Sequence, residues 1–115
     1  MAVSFHKMHG LGNDFIVLDL RNQTFTINRE IARQLADRHT GIGCDQILIL
    51  GQPTSDQQLA SFEIYNSDGS KAEQCGNGMR CLGLYLKEHP QTPDGPFVLG
   101  GIAGDVTIEC REDGL

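Results

Sequence analysis

Hydrophobic residues are arranged along this chain in short runs and alternations, with few long stripes. The longest uninterrupted apolar runs, Phe15-Ile16-Val17-Leu18 and Ile47-Leu48-Ile49-Leu50, are four residues each. That length, bounded by polar or glycine positions, suits strands buried on both faces. Strands are predicted over 3–8 and 14–20, joined by Gly10-Leu11-Gly12-Asn13, whose glycines and asparagine tolerate the positive φ of a tight connection. A hairpin with a polar tip follows. Gln46 to Leu50 reads as a buried strand and Ser61 to Asn66 as another, with the polar stretch Gln52 to Gln58 as the loop between.

Two segments switch to helical period. Ile27, Ile31 and Leu35 recur every four residues with Ala32 and Ala36 alongside, and Thr26 or Asn28 can cap the start, so a helix is predicted over about 27–39, ending before Gly41-Ile42-Gly43. The second helix runs from near Cys75 to Glu88. Its residues Met79, Cys81, Leu82, Leu84, Tyr85 and Leu86 are apolar almost all round, the pattern of a buried, central helix. Pro90 and Pro93-Asp94-Gly95-Pro96 break the chain, and Phe97 to Leu99 and Asp105 to Cys110 read as closing strands around Gly100-Gly101-Ile102-Ala103-Gly104. The order is ββαββαββ. Single strands do not alternate with helical crossovers, which argues against a doubly wound sheet. The fold class expected is α+β, a mixed and mainly antiparallel sheet curled around a central helix, in one domain spanning 1–115.

Composition narrows the chemistry. At 115 residues, 39% hydrophobic and 21% charged, the chain supports one modest core. A net charge of −6, with nine scattered Lys and Arg, argues against a nucleic-acid partner. No basic segment followed by a long apolar stretch opens the chain and no run reaches membrane-spanning length, so a soluble cytoplasmic protein is the expectation, with no membrane partner. Cys44, Cys75, Cys81 and Cys110 are then read as thiols. No metal site is expected: cysteine and histidine lack paired short spacings, and His6 and His9 would face opposite sides of a strand. Gly10-Leu11-Gly12, Gly41-Ile42-Gly43 and Gly76-Asn77-Gly78 each carry half of a dinucleotide fingerprint, but Phe15, Gln46 and Cys81 stand where the third glycine belongs. Nucleotide cofactors are excluded on that ground. The glycines serve either close backbone approach to a small substrate or ordinary turns.

The run Glu73-Gln74-Cys75-Gly76-Asn77-Gly78-Met79-Arg80-Cys81 places a thiol among small residues where a helical pattern begins, just after the turn formers Asn66-Ser67-Asp68-Gly69-Ser70. Unpaired N–H groups and the helix dipole at such a start favour negative charge, lowering a thiol pKa and offering a seat for a carboxylate. Most free cysteines are merely small core residues. Against that reading, Gly76, Asn77 and Gly78 are poor helix formers, each Gly costing up to about 1 kcal/mol relative to Ala. Ser70 and Glu73 have capping-box spacing, which would start the helix earlier.

Four segments together, Met8-His9-Gly10-Leu11-Gly12-Asn13-Asp14-Phe15, His39-Thr40-Gly41-Ile42-Gly43-Cys44-Asp45-Gln46, Asn66-Ser67-Asp68-Gly69-Ser70 and Gln74-Cys75-Gly76-Asn77-Gly78-Met79-Arg80-Cys81, resemble the diaminopimelate epimerase family in motif and order. The resemblance covers nearly the whole chain and implies the N-terminal domain of a two-domain enzyme. It also implies interconversion of LL- and meso-diaminopimelate, for lysine and cell-wall precursors, by two cysteines, one from each domain, without pyridoxal phosphate or metal. Cys75 would be one of the pair. Gly76 and Asn77 would hold the α-carboxylate, and Asn13, Gln46 and Asn66 match further substrate-contacting positions; Asn66 serves equally well as a turn residue. Cys44 stands where the family suggests an apolar side chain, and Met79 is bulkier than the usual small residue. No second Cys-Gly-Ser/Thr motif follows, so the resemblance implies a missing C-terminal domain as partner, an inactive 115-residue chain and a homodimeric full-length enzyme. The rivals are another cofactor-independent racemase or epimerase, as in proline racemase-like proteins, and a non-catalytic binding domain that kept the fold.

Overall fold

The computed structural model describes residues 5–10, 12–22, 25–72, 76–89, 92 and 95–109. The chain opens with an antiparallel hairpin, β1 (His6–Gly10) and β2 (Asn13–Asp19), in which Gly10 pairs with Asn13 and Gly12 turns at φ 89°. Helix α1 (Arg29–Ala36) then leads to β3 (Gln46–Gly51), which lies parallel to β2 with Phe15 opposite Gln46. β4 (Ala60–Asn66) returns antiparallel, Gln46 facing Asn66, and turns into the two-residue β5 (Lys71–Ala72). Helix α2 (Gly76–Lys87) follows, and β6 (Phe97–Gly101) and β7 (Gly104–Ile108) close the sheet as a hairpin, β6 pairing parallel to β4 through Ala60 and Ser61.

The strand order is β1-β2-β3-β4-β6-β7, with β5 on β4. Alternation along the strands sorts the apolar residues into two clusters. Phe15, Val17, Leu48, Leu50, Phe62, Ile64, Leu99 and Ile108 curl around Met79, Leu82 and Leu86 of α2. On the other face Ile16, Leu18, Ile47, Ile49 and Tyr65 pack on Ala32 and Ala36 of α1. The four-residue runs of β2 and β3 serve both layers, which is why they are apolar throughout. The expected mixed sheet around a central helix is what forms.

Three local expectations change. Helix α1 is shorter than 27–39, because Asn28 caps it by accepting from Ile31 N at 2.9 Å, and at the other end Asp37 Oδ1 captures His39 N and Thr40 N at 2.8 and 3.2 Å in a turn. In the last hairpin Gly100, Gly101 and Gly104 belong to the strands, leaving Ile102 and Ala103 as the turn. Leu84 of α2 is 40% exposed, so the helix is not buried all round.

The Gly41-Ile42-Gly43 segment serves packing. Gly41 N, Ile42 N, Gly43 N and Cys44 N donate to the carbonyls of Asp37, Leu35, Leu35 and Ala36, satisfying the end of α1. A Cβ on Gly41 would lie 2.0 Å from the Gln34 carbonyl oxygen, so only glycine allows this approach.

Candidate functional site

Asn13, Gln46 and Asn66 come from three adjacent strands and from one end of the sheet. Asn13 precedes Phe15, the partner of Gln46, by two residues, and Gln46 faces Asn66. By alternation all three project on the α2 side, extending the rows Phe15–Val17, Leu48–Leu50 and Ile64–Phe62 beyond the core. Gln46 Nε2 donates to Asn66 Oδ1 at 2.9 Å, and Asn66 Nδ2 donates to Ser70 Oγ at 3.1 Å. Gln46 Oε1 is buried and has no hydrogen-bond partner among the described residues. A buried acceptor left in that state is costly unless something supplies a donor.

Asn66 serves as the turn residue that its sequence context suggests. Its backbone N donates to Ser70 O at 2.7 Å and its carbonyl accepts from Gly69 N at 2.9 Å, closing the β4–β5 turn, in which Gly69 has φ 88°. Ser70 Oγ and Ser70 N both donate to Asp68 Oδ1, at 2.6 and 2.8 Å. The turn thus fixes the amide that holds Gln46.

Gly76 and Asn77 open α2, four and five residues after Ala72 of β5. Chain length alone keeps Gly76 within about 14 Å of Ala72. Gly76 is exposed, with nothing within 4 Å of where a Cβ would sit, while Gly78 and Met79 are buried. An open depression of about 260 Å³ lies against this first turn, lined by Gly76, Met79, Arg80, Thr107, Ile108 and Glu109. No hydrogen bond joins Gly76 or Asn77 to the three amides among the described residues. Cys75, Glu73 and Cys110 lie outside the described residues.

On the opposite face of the same strand ends stands a charged cluster that sequence reasoning missed. Arg38 places a fork on Asp14, Nη1 and Nη2 donating at 3.0 and 2.9 Å, and Nη2 also reaches Asp45 at 3.1 Å. Asp14 N donates to Asp45 Oδ2 and Asp45 N to Asp14 Oδ1, each at 2.9 Å. Lys7 Nζ donates to Gly43 O at 2.7 Å and lies 3.5 Å from Asp14. The Arg38 guanidinium holds the Asp14 carboxyl well below the usual carboxylate range. Asp14 and Asp45 adjoin Asn13 and Gln46 in sequence, the one signal available beforehand.

Cys44 is a free, buried thiol, and Cys81 is buried as well. Burial, reinforced by the Asp14 charge, pushes the Cys44 thiol up to about 11. That is the opposite of an activated nucleophile. At the far end of β2, Tyr85 Oη donates to Asp19 at 2.9 Å and Arg21 forks onto the same carboxylate, with Nε at 2.9 Å and Nη2 at 2.7 Å. The His6 and Tyr85 rings lie 5.1 Å apart. Among the described residues no His, Cys, Asp and Glu cluster could hold a metal ion, and no helix is long and apolar enough to cross a membrane.

The mixed sheet curled around a helix whose glycine-rich start stays open is a known domain architecture. It is shared with the crystal structure of a hydroxyproline epimerase from Agrobacterium vitis, at TM-score 0.69 and 18% identity over 96% of this chain and 38% of that one. A phenazine biosynthesis protein of the PhzF family from Bacillus anthracis is similar at TM-score 0.65 and 16% identity, over 97% of this chain and 36% of that one. At such identities the likeness is one of fold. Sequence goes further: the family described as Diaminopimelate epimerase matches residues 5–115, and this chain belongs to it. A diaminopimelate epimerase from Nitrosospira multiformis is 45% identical over 99% of the chain. The chain spans about two fifths of the length of such relatives, 41% in that case.

Proposed function

We propose that this chain forms one half of a diaminopimelate epimerase site, in which Asn13, Gln46, Asn66, Gly76 and Asn77 hold an amino-acid substrate and Cys75 moves its α-proton. The observation that carries the reading is the buried Gln46 Oε1, without a partner among the described residues, beside the Gln46–Asn66 bond, in a chain that belongs to this family. An acceptor in that state suits an ammonium donor. Amide side chains both donate and accept, which matches a zwitterion.

Epimerisation breaks the Cα–H bond on one face and forms it on the other. A thiolate at Cys75 takes the proton, the electron pair delocalises onto the α-carboxylate, and a thiol on the opposite face returns a proton; the roles exchange in reverse. Backbone N–H groups at the α2 start favour the charge that spreads onto the carboxylate. The chemistry needs no imine-forming cofactor. The opposing thiol belongs, in this reading, to sequence beyond these 115 residues, as the two-fifths coverage of the relatives suggests. The working enzyme is then a cytoplasmic homodimer of two-domain subunits, and the 115-residue chain alone is inactive.

The test is solvent-deuterium incorporation at the α-carbon of diaminopimelate by a polypeptide that carries this chain in its full reading frame. Incorporation should vanish in Cys75→Ser with substrate binding kept within a small factor. Undiminished exchange in that variant would sink the assignment, and exchange on hydroxyproline with none on diaminopimelate would move the chain's substrate elsewhere.

A further inference from the structure

We infer that Arg38 is a positioning residue: by tying Asp14 to Asp45 across the mouths of β2 and β3, it sets the spacing of Asn13 and Gln46 on the opposite face of the sheet. The inference rests on the assignment of those amides to the substrate site.

β2 and β3 are parallel, and the chain between them runs through α1 and a long loop, so no tight turn sets their separation at this end. The mouth is closed by a backbone bond from Asp45 N to Asp14 O at 3.0 Å and by a reciprocal pair of 2.9 Å bonds between Asp14 and Asp45, each using a side-chain carboxylate and a backbone N–H. That arrangement brings two carboxylates to one place. A single Arg38 nitrogen, Nη2, lies 2.9 Å from Asp14 Oδ1 and 3.1 Å from Asp45 Oδ1 and offsets both charges. Lys7 approaches Asp14 alone, at 3.5 Å, and its hydrogen bond goes to Gly43 O.

Asp14 and Asp45 point toward the α1 layer, so Asn13 and Gln46, their neighbours in sequence, point the other way. Displacing either mouth therefore moves an amide, and through the 2.9 Å bond from Gln46 it reaches Asn66. The core beneath does not depend on the fork, since Ile16 to Leu18 and Ile47 to Leu50 are held by packing on both faces. The Arg38 side chain is itself 54% exposed. A role confined to stability would be small at such a place.

The experiment is Arg38→Met in the 115-residue chain, read by the side-chain amide NMR signals of Gln46 and Asn66 and by hydrogen exchange at the Asp14 and Asp45 amides. Arg33→Met is the control, an exposed arginine of the preceding helix α1 paired with Glu30 at 3.6 Å. Exchange at Asp14 and Asp45 is expected to quicken by about tenfold while the core amides of β3 keep their protection. The Gln46 and Asn66 side-chain signals should move beyond anything seen in the control, and Arg38→Met combined with Asp45→Asn should bring them back toward their original positions. Should Arg38→Met not fold, Arg38→Lys, which keeps the charge and loses the fork, gives the same decision. Side-chain signals that stay in place overturn the inference, whatever the Asp14 and Asp45 amides do, and so does an equal displacement in the Arg33 control. No substrate enters either readout, so absence of epimerase turnover would count against the functional proposal alone.

Discussion

Replacing Gly41 by alanine should damage this fold severely. Its Cβ would meet three backbone oxygens, at 2.0 Å from Gln34, 2.9 Å from Leu35 and 3.0 Å from Asp37, none of which can rotate away. Relief requires the loop to lift from the end of α1, which breaks bonds that Gly41 N, Ile42 N, Gly43 N and Cys44 N make at 2.9–3.2 Å. Losing two of these costs about 2 kcal/mol, and the residual crowding costs about 1–3 kcal/mol more. The expected destabilisation is therefore about 3–5 kcal/mol, against a total of about 6–17 kcal/mol for a chain of this length. At about 4 °C per kcal/mol this lowers the thermal midpoint by about 12–20 °C. Circular dichroism melts beside urea titrations read it. Gly12→Ala is the internal comparison, because it has open space and pays only for φ 89°, about 1–2 kcal/mol. A Gly41→Ala midpoint within about 4 °C of the parent would refute the reasoning, since the loop would then have slack that the tight contacts deny.

Gly76→Ala should separate folding from function. The position is helical and open, so stability should hold or rise by up to about 1 kcal/mol in the same melts, while epimerase turnover in the full reading frame should fall by about 10²-fold; unchanged turnover would remove Gly76 from the site. Tyr85→Phe tests the far cluster. Burial and the bond to Asp19 push the Tyr85 phenol up to about 12, above its ordinary 10.0, so its contribution is complete below pH 10 and is lost as pH rises through 12. Urea midpoints taken across that window should fall less steeply in Tyr85→Phe, and identical slopes would contradict the assignment.

What the sequence made legible was whatever local pattern dictates. The four-residue runs at Phe15 and Ile47 marked the central strands because both sheet faces are covered there. Asn28 marked the start of α1 because a cap acts within three residues. The parallel pairings of β2 with β3 and of β4 with β6 were not legible, since they join segments about 30 residues or more apart. β5 escaped because two residues carry no period. Within the candidate site the motifs supplied Asn13, Gln46 and Asn66, but not that Gln46 donates to Asn66 or that Arg38, 24 residues from Asp14, ties down the same strand ends. Two aspartates beside two amides look like ordinary strand-end polar residues until the sheet register brings them together.

The central claim is that Cys75, which precedes α2 in the sequence, is the acid and base of this half-site. The most direct measurement is the pH dependence of alkylation at each cysteine, read site by site by mass spectrometry. Cys75 should react quickly, with a midpoint below the value of about 8.5 for a free thiol. Cys44, buried, should be slow with a midpoint near 11, and buried Cys81 should be slow as well. A Cys75 that reacts as slowly as those two, in this chain and also in the full reading frame, would contradict the account.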